Sequence, residues 1–259
     1  MSPERFGRYV LTRRLGRGDL AEVLAGTDEA GRPCVIKRLL GARAEPEVLA
    51  LFTRECTITC GLPPHPALVR GLGHDVATSP PYLVLAPIAG ADLRSRRDAG
   101  ERAPRSVALG WLAAAAEACA HLHTHGWVHG DVSPGNLIVD GPRATLCDLG
   151  VVQPVGVAGG TRGTHAYMAP EQVRNEAWTA ATDVFALGVL AWELASGQRL
   201  FHRGPSYLTM AAVVEAPVPP LGEPALDAVL AHALAKDPAA RLGSAAELAA
   251  RLAALAGAA

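Results

Sequence analysis

The sequence predicts an α+β chain, with strands first and helices after them. Between Tyr9 and Leu40, short apolar stretches alternate with turn residues, as strands joined by tight turns do. From Val107 to Leu122, apolar residues recur at the spacing of one helix face. Beyond Glu171, helical patterns dominate to the end of the chain. Taken in order, the first strands turn at Gly16–Gly18 and again at Ala30-Gly31-Arg32-Pro33. Pro46 to Gly61 reads as a helix, with Pro46 in the first turn, where its missing N–H has no partner to lose. Pro80-Pro81-Tyr82-Leu83-Val84-Leu85 is a strand after a turn, and Ala86 to Gly90 is a connection. Val107, Trp111, Leu112, Ala115, Cys119 and Leu122 mark a long buried helix stopped by Gly126. An apolar strand follows Asn136. Pro217-Val218-Pro219-Pro220 breaks the later helices, and Ser244 with Glu247 three residues on caps the alanine-rich last one. There are no internal repeats.

Composition narrows the function classes. The 259 residues are 49% hydrophobic and 19% charged, so a packed core is expected and general disorder is not. Twenty-four basic residues face 25 acidic ones, which argues against electrostatic binding to nucleic acid or an anionic membrane. No apolar run is long enough to span a bilayer. The nearest, residues 184–195, is short and carries Glu193. The start, Met1-Ser2-Pro3-Glu4-Arg5, lacks the apolar region of a signal peptide, so a cytoplasmic protein without a membrane partner is expected. Cys34, Cys56, Cys60, Cys119 and Cys147 are scattered and form no disulfide framework. Cys56 and Cys60 are read as core packing. His121, His123, His125 and His129 straddle a helix end and a turn, so they are not expected to share a face or hold a metal.

The chemistry concentrates in His129-Gly130-Asp131-Val132-Ser133-Pro134-Gly135-Asn136 and Cys147-Asp148-Leu149-Gly150. Phosphoryl transfer from a nucleotide needs one carboxylate near the attacking hydroxyl, plus an amide and a carboxylate on magnesium. H-x-D-x-x-x-x-N followed by D-L-G supplies that set. Leu15-Gly16-Arg17-Gly18-Asp19-Leu20-Ala21-Glu22-Val23 offers glycines that let backbone approach phosphates. Cys34-Val35-Ile36-Lys37 ends an apolar strand in a single ammonium. Two acids on the helix before His65-Pro66, Glu55 and Glu47, are candidates to pair with Lys37.

With these stretches, Gly163-Thr164-His165-Ala166-Tyr167-Met168-Ala169-Pro170-Glu171, Asp183–Leu194 and Lys236-Asp237-Pro238-Ala239-Ala240-Arg241, the chain resembles the bacterial, eukaryotic-like (Hanks-type) serine/threonine protein kinases from about residue 9 to 255. The resemblance implies one kinase domain with the two-lobed protein-kinase fold: a small β-rich N-lobe of about residues 1–85, a hinge at 86–90 and a larger helical C-lobe of 91–259. It implies ATP and Mg²⁺, with Mn²⁺ a possible substitute, and a protein substrate. Asp131 would orient the acceptor hydroxyl and take its proton. Asn136 and Asp148 would hold the metal, and Lys37, fixed by Glu55, would clamp the phosphates under the loop of Gly16, Arg17 and Gly18. Val23, Val35 and Ile138 would sandwich adenine, with Leu85 as gatekeeper. The Ala86 carbonyl and Ile88 N–H would read its edge, and Asp92 would meet the ribose. Glu171 would pair with Arg241.

Several positions depart from the family pattern. Ala21 replaces the third glycine, Val35 a smaller residue, Ala86-Pro87 an acidic-aromatic pair, and Leu149 a Phe. Gly130 stands where an Arg normally holds a phosphorylated activation loop, which points to activity without such phosphorylation at Thr161. Thr164 has a separate expected role, orienting the catalytic loop. Ser133 stands where a Lys usually stabilises the transferring phosphoryl group, a catalytic position that Arg162 could serve from elsewhere. Two rival readings follow. Ser133 and Gly130 favour a pseudokinase acting as a binding scaffold. His-Gly-Asp with Pro-Gly-Asn is also similar to small-molecule phosphotransferases, which lack the Gly163–Glu171 segment.

Overall fold

The computed structural model describes residues 4–18, 20–40 and 45–258. Met1–Pro3, Asp19 of the glycine-rich stretch and the terminal Ala259 lie outside the described residues. The chain divides into two compact units, Met1–His65 with Val69–Ile88, and Pro66–Leu68 with Ala89–Ala259. The first is an antiparallel sheet with one helix, the second mainly helical, as an α+β kinase-like fold requires.

The first unit contains β1 (Glu4–Phe6), β2 (Tyr9–Arg17), β3 (Ala21–Thr27), β4 (Pro33–Leu39), α1 (Pro46–Gly61), β5 (Gly71–Asp75) and β6 (Tyr82–Leu85). The strand order is β1-β2-β3-β4-β6-β5, all antiparallel. Period-2 alternation sends side chains to opposite faces. Tyr9, Leu11, Leu24, Cys34, Ile36 and Val84 form the core on one face. On the other, Leu83 joins Leu39 and the α1 residues Phe52 and Cys56. Cys56 is therefore packed, and burial pushes its thiol up to about 12.

Helix α1 keeps its expected bounds, with Pro at its start. Strand β5 escapes sequence patterning because Gly-Leu-Gly-His-Asp has little β propensity. Its glycine is a packing device: a Cβ on Gly71 would lie 2.6 Å from Cys60 Sγ and 2.7 Å from Thr59 O, so only glycine lets β5 approach α1 this closely.

The second unit contains β7 (Ala91–Asp92), α2 (Leu93–Asp98), α3 (Arg105–Thr124), β8 (Trp127–Val128), β9 (Leu137–Asp140), β10 (Arg143–Leu146), β11 (Gln153–Pro154), α4 (Pro170–Val173), α5 (Ala180–Ser196), α6 (Ser206–Glu215), α7 (Pro224–Ala233) and α8 (Ala245–Gly257). Helix α3 packs on α5 and α8 through its small residues, with Ala115, Ala116, Ala118, Cys119 and Leu122 fully buried. It ends at His125, and Gly126 follows with φ +81°. Thr179 caps α5 and Ser244 caps α8, the latter accepting from Glu247 N–H at 3.1 Å.

Glu171 and Arg241 form a two-pronged ion pair at 2.7 and 2.8 Å in the buried interior. The four histidines do not share one face: the His121 and His125 rings, one helical turn apart, approach to 4.6 Å, whereas His123 bonds Asp183 and the buried His129 ring lies against Cys147 O. No group of three or more His, Cys, Asp or Glu among the described residues could hold a metal by itself.

Candidate active site

In the first unit, β4 places Lys37 opposite Val23 of β3 and Leu83 of β6, so Lys37 points to the face that carries α1. Its Nζ lies 2.6 Å from Glu55 Oε1, and the two side chains are 13% and 5% exposed. Glu47 is exposed in the first turn of α1, so Glu55 is the residue that meets Lys37. Val35 pairs with Leu85 on the same face as Lys37, and both are half-buried. Thus Val23, Val35, Leu85 and Lys37 line one surface of the sheet. Ala86 N–H is used by Arg70 O at 2.9 Å. Gly16 and Arg17 end β2 opposite Val23 and Glu22, and Gly18 N–H bonds Ala21 O at 2.8 Å. A Cβ on Gly16 would meet nothing within 4 Å, so the protein's own packing does not demand that glycine.

In the second unit, the loop from His129 to Asn136 is suspended from a buried carboxylate. Asp183, in the first turn of α5, accepts His129 N–H and Gly130 N–H at 2.9 Å each, and His123 Nε2 at 2.8 Å. Burial alone would raise this carboxyl; the His123 hydrogen bond and charge, the His129 charge and the Gly130 N–H outweigh it and hold Asp183 below its ordinary value. The His129 ring, fully buried, accepts Asp131 N–H at 3.2 Å on Nδ1 and lies 3.2 Å from Cys147 O through Nε2.

Asp131 is held on both oxygens. Asn136 Nδ2 donates to Oδ2 at 2.8 Å and to the Asp131 carbonyl at 2.9 Å. Thr164 N–H donates to Oδ1 at 2.8 Å. Burial raises the Asp131 carboxyl above its usual value, and the Asp148 charge adds to the rise; the Thr164 hydrogen bonds and the His129 charge oppose it. The Asn136 amide oxygen takes no hydrogen bond among the described residues, and its carbonyl accepts Cys147 N–H at 2.8 Å. That bond ties the Asn136 end of the loop to the segment carrying Asp148. Asp148 is exposed, with φ +66°, and accepts Gly150 N–H at 3.1 Å, while Leu149 is buried beneath it. Asp92 pairs in register with Ile138, but its carboxylate already caps α2, accepting Ser95 N–H at 2.9 Å and Ser95 Oγ–H at 2.7 Å.

The structure gives physical content to the two departures in this loop. Ser133 is fully buried and its Oγ has no partner. Gly130 has φ +76°, and a Cβ there would lie 2.8 Å from Trp178 Cε3 and closer still to Cζ3. Trp178 is fully buried, and its opposite edge covers Gly159. Its backbone pairs with residues 156–157: Gly156 N–H to Trp178 O at 2.7 Å and Trp178 N–H to Val157 O at 3.2 Å. Gln172 adds a link, donating to Gly130 O and accepting from Ala169 N–H, both at 2.9 Å.

Sequence reading missed the organising roles of Asp183, Gln172 and Trp178. The one available signal was an Asp in the first turn of a largely apolar helix.

Residues 9–251 match the protein kinase domain family. The chain belongs to it. A serine/threonine-protein kinase of Streptomyces coelicolor, PkaB, is 37% identical over 95% of this chain and 62% of its own length. PknB of Mycolicibacterium smegmatis is 34% identical over 95% of this chain and 42% of its own length. PkwA of Thermomonospora curvata, a probable serine/threonine-protein kinase, is 34% identical over 77% of this chain. These are bacterial Hanks-type kinases, and the chain spans less than two thirds of each. Among the described residues, no helix of this kinase domain is long and apolar enough to cross a membrane.

Proposed function

We propose that this chain transfers the γ-phosphoryl group of ATP to serine or threonine hydroxyls of protein substrates. The observation that carries the reading is the Asp131 constellation. A carboxylate is fixed by Asn136 and by the Thr164 N–H, in a loop anchored to buried Asp183. A carboxylate so held can take the hydrogen bond of an acceptor hydroxyl and receive its proton, and its raised value improves it as a base. The free Asn136 amide oxygen and the exposed Asp148 carboxylate are hard oxygen donors, which suits Mg²⁺, or Mn²⁺ in its place. The metal would shield phosphate charge during transfer.

Lys37, oriented by Glu55, would contact the phosphates. Gly16, Arg17 and Gly18 would cover them. The open space over Gly16 supports this, since something other than the protein explains that glycine. Val23, Val35, Leu85 and Ile138 would contact adenine, with the Ala86 carbonyl and Ile88 N–H on its edge. Asp92 would reach ribose only through an oxygen it already shares with Ser95. These residues would act as a single kinase domain, with an N-lobe, hinge and C-lobe at the boundaries given above. Trp178 fills the side of the loop where an arginine would lie, so we assign the chain phosphorylation-independent activity.

Phosphotransfer from labelled ATP–Mg²⁺ to a generic protein and to the chain itself tests the reading. Incorporation that Asp131→Asn abolishes is the expected result. No incorporation with either metal would overturn it and leave the scaffold reading.

A further inference from the structure

Beside the catalytic loop, the helical unit contains a cavity of about 310 Å³ whose walls carry positive charge. Pro134, three residues after Asp131, lines it, as does Thr164, whose N–H holds Asp131. Its basic walls are Arg94, Arg97, His165, Arg199 and His202, and no Asp or Glu lines it. This is local, because the chain as a whole carries a net charge of −1.

The acids nearest these cations are committed. Glu193 is buried and saturated by Tyr167 OH at 2.6 Å, Leu200 N–H at 3.0 Å and Arg199 Nε at 3.1 Å. Asp98 meets Arg97 at 3.2 Å on the exposed surface. Arg94, His165 and His202 have no acidic partner among the described residues. Arg94 also lies against the catalytic loop: a Cβ on Gly135 would come 2.8 Å from its Nη2. Charge is thus concentrated beside the loop and the Thr164 segment that hold Asp131.

We infer that this cavity selects protein substrates by acidic residues flanking the acceptor serine or threonine. The inference rests on the protein-kinase reading and deepens it by naming a substrate class. A basic substrate would bring like charge against Arg94 and Arg97 and be disfavoured. Exposed ion pairs are individually weak, so two or three acting together give roughly tenfold selectivity, which salt should erode.

The test uses the whole chain and three serine peptides identical except for flanking Glu, Ala or Arg residues, placed before or after the acceptor in separate sets. The expected order of kcat/KM is Glu above Ala above Arg, with about a tenfold gap between Glu and Ala in one set. Arg94→Glu and, on the α6 side, His202→Glu should each pull the Glu-to-Ala ratio toward one. A Glu peptide no better than the Ala peptide, or a ratio that survives both charge reversals, would overturn the inference. No transfer to any peptide would sink the kinase reading instead. Fluorescence anisotropy of the labelled Glu and Ala peptides would then decide this inference separately. Tighter Glu-peptide binding that Arg94→Glu abolishes supports it, and equal binding overturns it.

Discussion

Replacing Gly130 by alanine should destabilise the helical unit severely for so small a change. Two terms act. At φ +76° an L-residue is in the left-handed region, which costs about 1–2 kcal/mol. The new Cβ would stand 2.8 Å from Trp178 Cε3, against a normal carbon contact of about 3.5–4.0 Å. The ring has nowhere to retreat, because a Cβ on Gly159 would already lie 2.5 Å from Trp178 Cη2. Overpacking of this kind costs about 1–3 kcal/mol, so the total is about 2–5 kcal/mol. That is a large share of the roughly 5–15 kcal/mol that holds a domain folded. Urea denaturation followed by circular dichroism measures the loss. Trp178→Leu in the Gly130→Ala background should recover the overpacking term and leave the backbone term. Gly130→Ala within about 0.5 kcal/mol of the parent, or a penalty unchanged by Trp178→Leu, would refute the reasoning. By the same geometry Gly130→Arg should lose stability and turnover, not gain control by phosphorylation.

Three further outcomes are expected. Lys37→Met should lower kcat by about 10² or more, and Glu55→Gln should lower kcat more than ATP affinity, since Glu55 orients Lys37 and touches no phosphate; steady-state kinetics with an ATP-binding assay separates the two. Arg241→Met should cost about 3–5 kcal/mol by stranding the buried Glu171 carboxylate, and pairing it with Glu171→Leu should recover most of the melting temperature, because the lone charge and not the lost bridge carries the penalty. The acid limb of the kcat/KM profile should lie above that of an ordinary aspartate, because Asp131 is raised and works ionised. For stability the sign is opposite: its contribution is present below the unfolded value and lost as pH rises through the folded one.

Periodicity was enough to read α1, α3 and the caps of α3 and α8, because each buries a continuous stripe and ends on a residue suited to stopping or starting a helix. It failed for β1 and β5. These edge strands are short, and β5 is read through packing against α1 that only the folded chain supplies. The ion pairs Lys37–Glu55 and Glu171–Arg241 were legible through motif resemblance, although the partners lie 18 and 70 residues apart. The roles of Asp183 and Trp178 were not, for a physical reason. Asp183 acts through backbone N–H groups of a distant loop, and Trp178 acts by excluding a side chain that is not there. Neither interaction leaves a residue-type signature at the other end.

The glycine before Asp131 is therefore not a vacancy. Its N–H is taken by Asp183, its carbonyl by Gln172, and the space beside it by Trp178, whose backbone is laced to residues 156–157. Under the proposal of phosphorylation-independent activity, the Asp183, Gln172 and Trp178 contacts take the place of the restraint that a phosphate and an arginine would supply together. Thr161 is exposed and lies three residues before Thr164, the residue whose N–H reaches Asp131. If packing holds this segment, Thr161→Ala should keep kcat within roughly a factor of two, the range of an ordinary surface substitution. Thr164→Ala should lose more, since it removes the hydroxyl that joins the Thr164 N–H in bonding the Asp131 carboxylate. Turnover of protein treated with phosphatase, beside both variants, is the measurement. A Thr161→Ala chain that is inactive, and restored by Thr161→Glu, would mean that a negative charge holds this segment after all, and that Trp178 packs there without replacing it.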